Sequence, residues 1–98
     1  MRMMLLFLSN KLNTMYTVYA IKSQVKDWIY VGMTTNLEQR LKKHNDGHNK
    51  STKPYAPFKL IYTEEHSTSS EARAREKYFK SSGGKRKLRA ILNDQQSI

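Results

Sequence analysis

On a helical wheel of about 100° per residue, Ala72, Glu76 and Phe79 share one face. Burying a carboxylate without a partner is costly. Glu76, drawn inward between two apolar neighbours, therefore needs either a cationic side chain such as a nearby arginine or a metal ion beside it, unless the helix is rotated so that the carboxylate stays in water. Arg40 and His44 stand four residues apart, so they project from one side of a helix, flanking Leu37 and Leu41 at the edge of a core stripe. A guanidinium suits paired hydrogen bonds to phosphate, and an imidazole moves protons near neutral pH; a solvated polar ridge would hold the same two residues. Tyr19 and Tyr30 lie in segments where half-buried tyrosines ordinarily serve packing. Gly32, two residues beyond Tyr30, marks a bulge or a close backbone approach. Lys77, Lys80, Lys85, Arg86, Lys87 and Arg89 follow one another with no acid between them, and Lys42, Lys43, Lys50, Lys53 and Lys59 add charge elsewhere. Long basic side chains track a phosphate backbone; an exposed basic face without a partner has the same composition.

The elements that must position these groups follow from local patterning. Residues 16–22 and 28–34 are rich in β-branched and aromatic types, and a short polar link between them predicts an antiparallel hairpin. Thr35 and Glu38 have capping-box spacing, and Gly47 is a natural stop, so a helix is expected over 36–46. Pro54 and Pro57 mark 48–57 as a loop. Phe58, Leu60 and Tyr62 alternate with Lys59, Ile61 and Thr63, which predicts a third strand over 58–65. Thr68 and Glu71 repeat the capping box and open a helix to about Ser81, broken by Gly83-Gly84. Leu88, Ile91 and Leu92 predict a last short helix, with a frayed tail from Asp94. The order β-β-α-β-α-α is that of an α+β fold, a three-stranded antiparallel sheet flanked by helices. Residues 1–14, with the short apolar run Met3–Leu8, are expected to form a disordered or loosely ordered leader, 15–92 the domain and 93–98 the tail.

Composition narrows the partners. The 98 residues suffice for one domain. Lys and Arg number 18 against 8 Asp and Glu, a net charge of +10 that folding does not need and that predicts a polyanion, nucleic acid ahead of a membrane surface. Cysteine is absent, which excludes disulfides and cysteine-ligated zinc and fits the cytoplasm. No apolar run approaches the ~20 residues of a bilayer span. No Walker-type loop or nucleophile elbow is present, and no feature calls for an obligate protein partner.

Taken together, Thr17-Val18-Tyr19, Tyr30-Val31-Gly32, Asn36-Leu37-Glu38-Gln39-Arg40-Leu41 with His44, Phe58 to Glu64, and Glu71 to Glu76 resemble in order and spacing the motifs of the GIY-YIG nuclease superfamily, especially its small single-domain members. The resemblance implies an α/β sandwich with Tyr19, Tyr30, Arg40, His44 and Glu76 on one concave surface. It implies that Glu76 holds a divalent cation, Mg²⁺ or Mn²⁺, that Tyr30 is the general base toward water, that Tyr19 and His44 orient water or relay protons, and that Arg40 steadies the scissile phosphate. Tyrosine, with an ordinary pKa near ~10, needs neighbouring cations to act as a base. Lys42, Lys43, Lys53, Lys80, Lys85, Arg86 and Lys87 are the candidate nucleic-acid contacts, with DNA favoured over RNA. The chain departs from the family pattern at Thr17, Val31 and Met33, and no asparagine lies between Lys77 and Leu92. Two functions are therefore expected in competition: a metal-dependent endonuclease of low sequence specificity, and a non-catalytic nucleic-acid-binding module on the same fold.

Overall fold

A computed structural model describes residues 14–96; the expected leader falls outside them apart from Thr14. The elements are β1 (Tyr16–Ser23), β2 (Ile29–Thr34), α1 (Leu37–Asn45), a 3₁₀ turn (Lys53–Tyr55), β3 (Phe58–His66), α2 (Ser69–Lys80) and α3 (Ser82–Gln96). The sheet is antiparallel throughout in the order β2-β1-β3, so the first strand is central.

Alternation along β1 gives the sheet two different faces. Val18 and Ala20, with Ile29, Val31 and Ile61, pack under Ala72 and Phe79 of α2 and Leu88 of α3. Tyr19 and Ile21, with Phe58, pack under Leu37 and Leu41 of α1, joined by Trp28, Tyr30 and Tyr55. Strand β3 does not keep the simple alternation its sequence predicts. Ala20 pairs with Tyr62 but Ile21 pairs with Leu60, so Ile61 is an extra residue in a bulge. The bulge turns Ile61 and Tyr62 to the α2 face and leaves Leu60 exposed.

Helix boundaries also differ from expectation for identifiable reasons. Asn36, not Thr35, caps α1: its carboxamide oxygen accepts from Gln39 N (3.1 Å), while Thr34 Oγ1 accepts from Asn36 N (3.0 Å) and bends the chain out of β2. The helix closes where Gly47 adopts φ +76°, with Gly47 N bonded to His44 O and His48 N to Lys43 O, the pattern of a Schellman stop. Thr68 caps α2 as its spacing predicts, accepting from Glu71 N (3.2 Å). The break after α2 is Ser81 rather than the two glycines: its hydroxyl donates to Tyr78 O and accepts from Gly84 N. Gly83 and Gly84 thus belong to the first turn of α3, which runs through Asp94 to Gln96 instead of starting near Leu88 and fraying at 94.

A polar knot fastens α2 to β3. Arg75 donates to both oxygens of Glu64 (2.7 and 3.0 Å), Tyr62 Oη donates to the same carboxylate (2.8 Å), and His66 Nε2 lies 2.6 Å from it. Arg75, foremost, holds the Glu64 carboxyl down to about 2 from an ordinary 4.5. A folded-state pKa below the unfolded one gives stability that is present above pH 4.5 and is lost as the pH falls toward 2. With Arg75 partly exposed, Glu64 is worth about 2 kcal/mol. Urea unfolding of Glu64→Gln should show that loss at pH 7 and a flatter acid limb than the parent's.

Candidate active site

The hairpin and the first helix bring four of the five candidate residues together. Tyr19 faces Gly32 across the β1–β2 ladder. A Cβ on Gly32 would stand 2.6 Å from Tyr19 Oη and 2.8 Å from Cζ, so glycine there lets the Tyr19 ring lie across β2. Of the two roles its sequence position allows, Gly32 serves the close approach. The fully buried Tyr19 ring lies 6.3 Å from that of Tyr30 and 5.9 Å from that of His44, and Tyr30 and His44 are 4.9 Å apart.

His44 is buried completely, deeper than a ridge at the edge of a core stripe would be. Tyr19 Oη lies 2.8 Å from His44 Nε2, and His44 Nδ1 lies 2.9 Å from Thr52 Oγ1. The far end sets the polarity. Thr52 Oγ1 donates to the Asn49 carbonyl (3.3 Å), so it accepts from His44 Nδ1–H, and Nε2 is left to accept from the Tyr19 hydroxyl. Burial, and then the neighbouring Tyr30, pushes the Tyr19 phenol well above its ordinary value. Burial, and then the Arg40 charge, lowers His44 below 6.5. Both shifts hold the pair neutral, with Tyr19 as donor. Thr52 went unnoticed in the sequence because a lone threonine in a polar loop has no periodicity to mark it. Thr52→Val keeps the shape and removes the acceptor. It should cost about 1–3 kcal/mol by leaving a buried N–H unpaired, read as a lower urea midpoint with an unchanged m-value.

Arg40 lies near enough to act electrostatically on both Tyr19 and His44. Glu76 comes from the opposite layer. Helix α2 packs over β1 and the edge strand β2, and the Glu76 charge is felt at the Tyr19 phenol. The side chain of Glu76 is 15 % exposed and already has cations beside it: Lys80 Nζ at 3.3 Å and Arg73 Nη1 at 4.0 Å. That is the cationic alternative its position on the wheel allows. Both partners are largely exposed and free to swing away. Among the described residues, no three His, Cys, Asp or Glu side chains gather as a metal site.

The basic residues are dispersed. Lys42 pairs with Asp46 (2.8 Å), and Lys80 with Glu76. The Lys53 stem lies against Gly47. Arg86 and Lys87 are exposed on α3. Lys85 turns inward, its ammonium donating to the Ile29 carbonyl, and burial lowers its pKa; it fastens α3 to β2. Lys43 lies beside a depression of about 340 Å³ lined also by Arg40, His44, His48, Asn49 and Lys50.

A three-stranded antiparallel sheet clad by helices on both faces, with two hairpin tyrosines meeting an arginine and a histidine of the first helix, defines a small α+β domain. Residues 15–89 match the family described as the GIY-YIG catalytic domain, and the chain belongs to that family. It is 43 % identical over 70 residues to the UPF0213 protein YazA of Bacillus subtilis, covering 70 % of each chain. It is 40 % identical over 75 residues to the UPF0213 protein CPE1444 of Clostridium perfringens, covering 76 % of this chain and 80 % of that one. A relative from Bacillus licheniformis is 48 % identical over 64 residues, 64 % of this chain and 66 % of the relative. The solution NMR structure of the UPF0213 protein BH0048 from Bacillus halodurans aligns with a TM-score of 0.49 at 30 % identity, over 79 % of this chain and 84 % of that one. No helix among the described residues is long and apolar enough to cross a membrane.

Proposed function

We propose that the protein is a metal-dependent endonuclease that hydrolyses DNA phosphodiesters with low sequence specificity. The observation that carries this reading is the meeting of Tyr30, Arg40 and the Tyr19–His44 pair at one corner of the sheet. Family membership supports it, as does the net charge of +10.

A lone carboxylate fits a hard divalent cation that keeps most of its waters and takes further oxygens from substrate phosphate. Glu76 would hold Mg²⁺ or Mn²⁺, displacing Lys80 and Arg73. The cation supplies polarisation of a phosphoryl oxygen and stabilisation of the leaving oxygen. The side chains do the remainder. Arg40 grips the scissile phosphate, where negative charge builds up. Tyr30, acting as its phenolate, takes the proton of the attacking water as the water oxygen bonds to phosphorus and the bond to the leaving ester oxygen breaks. Tyr19 keeps its own proton and passes its hydrogen bond to His44 Nε2, so it positions rather than deprotonates. Thr52 fixes the imidazole from behind.

A second reading, a binding module without catalysis, draws on the ion pairs at Glu76 and on the absence of asparagine from 77 to 92. End-labelled single-stranded, duplex and branched DNA, incubated with Mg²⁺, Mn²⁺ or chelator, separates the two. Cutting that needs the metal supports the enzyme. Salt-sensitive binding with no cutting on any substrate overturns it in favour of the module.

A further inference from the structure

The depression beside His44 is built by the end of α1. The positive φ of Gly47 reverses the chain, and the bond from His48 N to Lys43 O folds residues 48–50 back alongside the last turn of the helix. Arg40, Lys43 and Lys50 bring three full charges to its wall and His48 an imidazole; His44, also in the wall, has both ring nitrogens engaged by Tyr19 and Thr52, and no acidic side chain lines the depression. On the same helix, Lys42 spends its charge on Asp46, whereas Lys43 and Lys50 form no ion pair among the described residues. Asn49 Oδ1 accepts from both the N–H (3.1 Å) and the hydroxyl (2.8 Å) of Ser51, which leaves its NH₂ as the donor end. A pocket that offers donors and positive charge fits an anion of phosphate size. Arg40 and His44 belong both to this wall and to the candidate catalytic corner.

We infer that the depression seats a second, uncut phosphate of the nucleic-acid backbone, next to the scissile one, with Lys43 and Lys50 as its principal contacts. The inference rests on the nuclease reading for its neighbour but concerns binding alone. The seat recognises the sugar-phosphate chain, not base edges, and fixes which way the strand leaves the site.

The test is the affinity of a fluorescent duplex of about 20 base pairs, followed by anisotropy in chelator from about 50 to about 200 mM salt. Lys43→Ala/Lys50→Ala is compared with the parent and with Lys59→Ala/Lys77→Ala, which removes two equally exposed charges elsewhere. Circular dichroism checks that both variants fold. The seat variant should bind about tenfold more weakly, equally for unrelated sequences, and its salt slope should fall by about one unit more than the control's. Equal losses in both variants, or none in the first, overturn the inference. Because no cutting is needed, a failed nuclease reading leaves this result intact. Conversely, a protein that cuts DNA yet binds it normally without Lys43 and Lys50 defeats the seat and spares the nuclease.

Discussion

Glu76→Gln and Tyr30→Phe are each expected to remove metal-dependent cutting of DNA, by about 10³-fold for Glu76 and about 10²- to 10⁴-fold for Tyr30. Both substitutions are nearly isosteric. Glutamine keeps the length of Glu76 but not its charge, so the carboxylate proposed to hold the divalent cation would be gone. The pairs to Arg73 and Lys80 that go with it involve exposed side chains, and folding should change by less than about 1 kcal/mol. Phenylalanine keeps the ring contacts of Tyr30 with Tyr19, Trp28 and His44 and removes only the hydroxyl. Initial rates under saturating DNA, with Mg²⁺ titrated, separate the two. Glu76→Gln should stay inactive at every metal concentration, and Tyr30→Phe should keep the parent's metal dependence at a far lower maximum. A Tyr30→Phe protein that cuts at the parental rate would remove the phenol from the chemistry.

Gly84→Ala should destabilise the fold by about 3 kcal/mol or more, a large share of the roughly 5–15 kcal/mol that holds a small domain together. A Cβ at Gly84 would stand 2.1 Å from the Tyr78 carbonyl oxygen and 2.5 Å from Phe79 Cα, both backbone atoms of α2. Helix α3 must then move off α2, loosening Leu88 and Phe79 over the sheet. Thermal unfolding should show the midpoint falling by about 15 °C. Gly83→Ala is the built-in control. Its Cβ meets nothing nearer than Arg86 Nη2 at 3.9 Å and its φ is not positive, so alanine there should stabilise by about 0.4–1 kcal/mol.

The same pair of glycines shows where sequence reasoning reached its limit. Two adjacent glycines read locally as a helix breaker, whereas one of them is there because another helix lies against it, a fact about tertiary distance that no window of the chain contains. Likewise Tyr62 and Glu64 sit on β3 and Arg75 on α2, and nothing in a strand's alternation announces that its glutamate will be gripped from the next helix. Lys85 was indistinguishable from its basic neighbours until its ammonium was found on the Ile29 carbonyl. What was legible rested on local physics. The hairpin came from β-branched residues, the α2 start from the Thr68 hydroxyl, and the α1 stop from a glycine able to reverse its φ. The candidate site was legible through motif order. Of the five residues the resemblance sets on one surface, Tyr19, Tyr30, Arg40 and His44 come from the hairpin and α1 and Glu76 from the opposite layer, and only the folded chain displays the hydrogen bond from Tyr19 to His44.

The strand at the centre of the sheet is also the first of the three to emerge during synthesis. Its partner β2 follows after a short turn, so one side of β1 is covered at once. The other side waits for β3, whose pairings join Ser23 to Phe58 and Tyr16 to His66 across the whole of α1 and its following loop. Closing so long a loop is slow. Until it closes, the nascent hairpin displays a bare ladder of amides and carbonyls that a second copy could occupy. Strand exchange between neighbouring chains is therefore expected to grow with expression temperature, read as a lower yield of correctly folded protein at unchanged stability of the folded fraction.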